Sequence, residues 1–120
     1  MLIKLALPRI LEPMTSAEVI AVHAREGEAL RIGGRLVDLK IDLGAALAHD
    51  CPPISYYRIA LREAAWLRRL PLNVGDSVAP GDLVALFSTT ADEPLEGEPA
   101  RSARVTVAGL VVDTALWSEP

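Results

Sequence analysis

The chain has 120 residues, 51% of them apolar and 23% charged, with few aromatics, so it is a globular chain with an aliphatic core. A net charge of −4 argues against a nucleic-acid surface, and no apolar run approaches the length of a membrane span. Cys51 is alone, which excludes a disulfide framework within the chain. The first residues lack a charged segment followed by a long apolar one, so the expectation is a cytoplasmic protein without a signal peptide.

In chain order, Met1 to Leu7 alternates weakly and reads as a strand that Pro8 ends. A loop with two prolines runs to Ser16, and Ala17 to Ala24 reads as the first inner strand. His23 falls in that alternation and is expected to be a solvent-facing strand histidine. Then comes Gly27-Glu28-Ala29-Leu30-Arg31-Ile32-Gly33-Gly34-Arg35-Leu36-Val37-Asp38-Leu39. Glycine and an acid make a turn, Leu30 points inward, a second glycine turn follows, and an apolar strand closes the unit.

Residues 44–63 read as an insertion, a long loop around Gly44 to Pro53 that makes an enlarged tip. The segment 56–64 suits a strand or a helix equally, since periodicity does not settle a short apolar run. The one chemically suggestive cluster lies here: His49-Asp50-Cys51, with Tyr56 and Tyr57 near. A nucleophile needs its base turned onto it and a third group to orient that base, and zinc wants three or four ligands. The chain's whole histidine and cysteine inventory is His23, His49 and Cys51. An incidental cluster is therefore the preferred reading: no catalytic residue, no metal and no cofactor. His49, Cys51, Tyr56 and Tyr57 are kept, with Trp117, as a candidate interaction surface.

The unit at 27–39 then recurs as Gly75-Asp76-Ser77-Val78-Ala79-Pro80-Gly81-Asp82-Leu83-Val84-Ala85-Leu86-Phe87. Gly27 matches Gly75, Leu30 Val78, Gly33 Gly81, Leu36 Val84 and Leu39 Phe87, always 48 residues on, and upstream Ala17 matches Ala65. Two copies are too few for a solenoid. They predict one all-β domain over residues 1–88, made of two halves related by a pseudo-two-fold, with strand from Ala65 on. Residues 89–103 hold four acids and two prolines and read as a linker. Residues 104–117 contain a β-branched run that reads as an extra C-terminal strand. That strand docks on its own domain or adds to a neighbour's edge, giving a homo-oligomer, with Trp117 as the anchor in either case.

Leu7-Pro8, Glu12-Pro13-Met14-Thr15, Val19-Ile20, Glu26-Gly27-Glu28 and Gly33-Gly34-Arg35-Leu36 resemble, in order and spacing, the opening of a lipoyl domain of the dihydrolipoyl acyltransferases of 2-oxoacid dehydrogenase complexes. The second copy resembles that family's closing half. Over residues 2–88 the resemblance implies the biotinyl/lipoyl fold (a barrel-sandwich hybrid), a flattened barrel of two antiparallel sheets. The family's function rests on one lysine in a tight turn between the halves. The matching position is Leu43, in Lys40-Ile41-Asp42-Leu43-Gly44, where a lipoyl domain reads Glu-Thr-Asp-Lys-Ala and a biotinyl domain Ala-Met-Lys-Met. Lys4 lies in the opening strand and Lys40 falls three residues short of the tip. The expectation is a lipoyl-like domain without lipoate, a non-catalytic interaction or structural module. Its partner would be a second copy of itself or an acyl-transfer complex, with neither nucleic acid nor membrane involved. The alternative is a swinging-arm carrier attached through Lys40 or Cys51; an enzyme built on Cys51 and His49 is a weaker third.

Overall fold

A computed structural model describes residues 1–44 and 54–111. Among these residues ten strands follow one another: β1 (Leu2–Ala6), β2 (Ala17–Val22), β3 (Ala29–Leu30), β4 (Arg35–Asp42), β5 (Ile54–Leu61), β6 (Ala65–Arg69), β7 (Ser77–Val78), β8 (Leu83–Ser88), β9 (Arg101–Ser102) and β10 (Val105–Leu110). They form two five-stranded sheets, in the orders β3-β6-β8-β1-β9 and β10-β5-β4-β2-β7. All pairings are antiparallel except the two-residue contact of β9 with β1. The domain is all-β with two mostly antiparallel sheets.

It is not a closed barrel, which corrects the flattened barrel expected from the sequence. No described strand belongs to both sheets. The end strands are β3 and β9 in one sheet and β10 and β7 in the other, and none of these four pairs across to the other sheet.

The strands form where apolar residues alternate, and the inward sides meet in one core. Ile3, Leu39, Ile59, Leu67, Val84 and Phe87, drawn from both sheets, are inaccessible to solvent or nearly so. Each such side chain contributes about 1.5–3 kcal/mol through burial. Of the stretch 56–64, ambiguous in sequence, residues 56–61 are strand, part of β5, because β4 on one side and β10 on the other satisfy their backbone. A helix there would leave both neighbouring ladders without a partner. The first inner strand ends at Val22 rather than Ala24.

Strand register follows the sequence correspondence closely. Glu18↔Lys40, Val19↔Leu39 and Ala21↔Asp38 in one sheet recur as Trp66↔Ser88, Leu67↔Phe87 and Arg69↔Leu86 in the other, with the bulge at the same place. β1 against β8 matches β5 against β4 likewise, so Lys4, Leu5 and Ala6 occupy the positions of Arg58, Ile59 and Ala60.

Two turns show why glycine is needed. Gly33 and Gly81 sit at φ of 90° and 93°, where a side chain is strained. The Gly33 N–H donates to Leu61 O (2.7 Å) and the Gly81 N–H to Leu7 O (2.8 Å), pinning each turn to the strand end it crosses. The acids act as read: Glu28 Oε1 accepts from Arg25 N–H (3.0 Å) and Asp76 Oδ2 from Asn73 N–H (2.8 Å).

The stretch read as a linker is tied down by backbone bonds, with Ala103 at its end packed against the core. Ala100 N–H donates to Leu2 O and Ala103 N–H to Lys4 O, both at 2.8 Å, on either side of β9. Arg68 Nη1 reaches Glu93 O at 2.7 Å.

Candidate functional site

The turn where the resembled family carries its arm lies between β4 and β5. The ladder closes at Asp42↔Ile54, so eleven residues, 43 to 53, connect the paired ends. The first two are described. Leu43 is half-buried and packs against the core, while Gly44 donates its N–H to Asp42 Oδ1 at 2.9 Å in a side-chain-closed turn. A side chain at position 43 thus turns toward the protein rather than standing out from an apex. His49 and Cys51 lie outside the described residues, as does Trp117.

Lys40 stands within β4, cross-strand from Glu18 on β2 and Tyr56 on β5, with Nζ 4.0 Å from Glu18 Oε1. With Ser16, Asp42, Gly75 and Ser77 these two charged residues line a shallow polar cleft of about 220 Å³. Both charges are well wetted, so the pair contributes little to stability. The matching place in the other sheet is apolar, a cleft of about 180 Å³ beside Trp66, Ala29 and Leu30. Lys4 is exposed on β1, mid-strand, between Leu86 and Ser102.

Tyr56 and Tyr57 are neighbours on β5 and therefore face opposite sides. Tyr57 packs against the core and Tyr56 points the other way. They share a strand without sharing a surface.

The best-organised polar group was missed by the sequence reading. Asp38, on β4, is almost fully buried on the side of the sheet away from the core. Arg58 on β5 grips it with both ends of its fork, Nε to Oδ1 at 2.8 Å and Nη2 to Oδ2 at 3.0 Å. His23, just past the end of β2, places Nε2 2.9 Å from the same Oδ2. His23 is solvent-exposed, as expected, but it lies just past the strand rather than in it, and its imidazole is partnered by a carboxylate. Burial alone pushes the Asp38 carboxyl up, but the hydrogen bonds and charges of Arg58 and His23 outweigh it and hold its pKa below the ordinary value. Both carboxylate oxygens are committed, so Asp38 ties the end of β2 and the middle of β5 to β4. An acid inside the apolar run Leu36-Val37-Asp38-Leu39 was the available signal, but its partners are visible only once register places Arg58 opposite it.

A second carboxylate fastens the tail. Glu63, in the short turn between β5 and β6, accepts Arg101 Nη1 from β9 and the N–H of Arg104, just before β10, both at 2.8 Å. The Arg101 hydrogen bonds and the Arg104 N–H lower its pKa to about 2 against the smaller upward effect of burial.

Among the described residues no cluster of three or more histidine, cysteine or acidic side chains could hold a metal ion, and no helix is long and apolar enough to cross a membrane. No family model matches the chain, and neither a curated protein nor a solved structure matches it.

Proposed function

We propose that the chain is a biotinyl/lipoyl-like domain that carries neither lipoate nor biotin and serves as a non-catalytic interaction or structural module. The observation that carries this reading is the geometry of the turn after β4. A swinging arm needs an amine at an exposed, tight apex. Here the matching residue is Leu43, folded against the core, and eleven residues rather than a tight turn join the strands. Lys40 lies on the strand face beside Glu18.

The scaffold half of the proposal, a barrel-sandwich hybrid with a pseudo-two-fold axis, draws support from the registers that recur 48 residues on, bulges included. The order of the two sheets is also the same when β1–β4 are exchanged with β5–β8. The partner belongs to one of two kinds, a second copy or an acyl-transfer complex of the 2-oxoacid dehydrogenase type.

Intact mass spectrometry tests the arm-less reading, with the protein co-expressed with lipoyl and biotin ligases and both cofactors supplied. The expected result is the bare chain mass. A lipoyl or biotinyl adduct would overturn the reading and assign an atypical attachment residue, with Lys40 the first lysine to replace; a thiol-linked adduct would point to Cys51.

A further inference from the structure

Among the described residues β10 ends one sheet, and no described strand pairs with its outer edge. Arg104 turns both backbone polar groups toward β5: its carbonyl accepts from Arg62 N–H at 2.8 Å and its N–H is held by Glu63. These groups alternate along an antiparallel strand. Those of Thr106, Ala108 and Leu110 therefore face β5, and those of Val105, Val107 and Gly109 face away from it.

The register from Val105↔Leu61 to Leu110↔Tyr56 has no bulge, and Val105–Leu110 contains no charge and no proline. Natural edges are usually protected by one of these. The other strands at sheet ends, β3, β7 and β9, are two residues long. The core is also unfinished here. Val105 and Val107 pack against it yet stay half-exposed, whereas Leu61 and Ile59, one strand inward, are fully buried.

We propose that this edge pairs antiparallel with β10 of a second copy, with Val107 on the two-fold axis. The pattern of free groups makes the strand its own complement. Val107 meets Val107 of the partner subunit, and Val105 and Gly109 each meet the other residue on the partner, so all three outward N–H and C=O pairs are satisfied on each side. On the core side the partner's valines continue the row that now stops half-covered, and Gly109 leaves room opposite Val105. On the outer face Thr106 meets Ala108, so no like charges face each other. An isologous contact consumes both edges and closes at the dimer, so it does not propagate into a fibre. β10 stays on its own β5 throughout, which distinguishes this assembly from an exchange of tails. It goes beyond the arm-less reading and is tested separately from it.

Sedimentation velocity of the full chain over a concentration series is the test. The expected result is a species of twice the 12.9 kDa chain mass. Val107→Pro removes an N–H that β5 does not use and sets a ring against the partner, so dimerisation weakens about 10- to 100-fold with an unchanged far-UV spectrum. If that variant misfolds, Gly109→Pro makes the same removal at an exposed position. A wild-type monomer at every concentration overturns the proposal. So does a dimer that survives both proline variants, and so does a monomer that dimerises only once residues 112–120 are removed, which would give the edge to the chain's own end.

Discussion

Replacing Glu63 by glutamine removes one charge and leaves the side chain's size unchanged. In the native protein that carboxylate accepts two hydrogen bonds from the Arg101 guanidinium and one from Arg104 N–H, and its pKa falls from the ordinary 4.5 to about 2. Unscreened, a drop of that size is worth ~3 kcal/mol of folding free energy. Arg101 is 34% exposed, and solvent screening reduces the expected loss to about 1–2 kcal/mol. Because the folded-state pKa is depressed, the contribution is complete above pH 4.5 and disappears as pH falls through about 2. Urea denaturation of wild type and Glu63→Gln should therefore show a gap at pH 7 that narrows steadily from pH 4.5 downward. Hydrogen exchange should place the loss in β9 and β10, whose amides open faster, while β4 and β8 stay protected. A gap independent of pH, or exchange unchanged in β10, would refute the assignment of Glu63 as the clasp of the tail.

Asp38→Asn should destabilise by about 1–3 kcal/mol at neutral pH, since Arg58 and His23 lose a charged acceptor. Combined with Arg58→Met it should cost less than the two singly, measured as a double-mutant cycle by chemical denaturation. The Asp38 pKa is lowered, so this contribution is present above the ordinary carboxylate range and fades as pH falls below it. Gly33→Ala and Gly81→Ala should each cost about 1–2 kcal/mol by the same assay, because both residues hold φ near 90°. Nothing lies within 4 Å of an added Cβ at either, so the penalty is backbone strain alone and should be similar at both turns. Phe87→Ala should cost about 3–5 kcal/mol, the usual price of a cavity at a fully buried aromatic, read as a lowered midpoint of thermal unfolding.

Local chemistry was legible wherever a backbone position tolerates few residues. Gly27, Gly33, Gly75 and Gly81 all adopt positive φ, and the acids beside them close the turns. The correspondence they mark placed β2, β3 and β4 against β6, β7 and β8. Its first member stayed hidden because the loop after β1 is longer than the one after β5, which breaks the constant spacing. Lys4-Leu5-Ala6-Leu7 beside Arg58-Ile59-Ala60-Leu61 was the signal, and with it residues 56–61 read as strand rather than helix. The alternation within β5 already implied that Tyr56 and Tyr57 part company.

Pairing between distant segments was another matter. Nothing in residues 89–103 announces that Arg101–Ser102 runs parallel to β1, because the bonds that pair it with β1 are main-chain ones that any residue but proline can make. Hydropathy likewise does not say that Arg101 seeks Glu63 or that Arg58 and His23 converge on Asp38. Sequence by itself determined an all-β chain, its turns and the absence of a lysine at position 43. Tertiary structure decided which edges the tail covers and which charges meet. Conformational strain at a turn is a property of one residue, whereas a salt bridge or a sheet edge exists only when two remote stretches are brought into register.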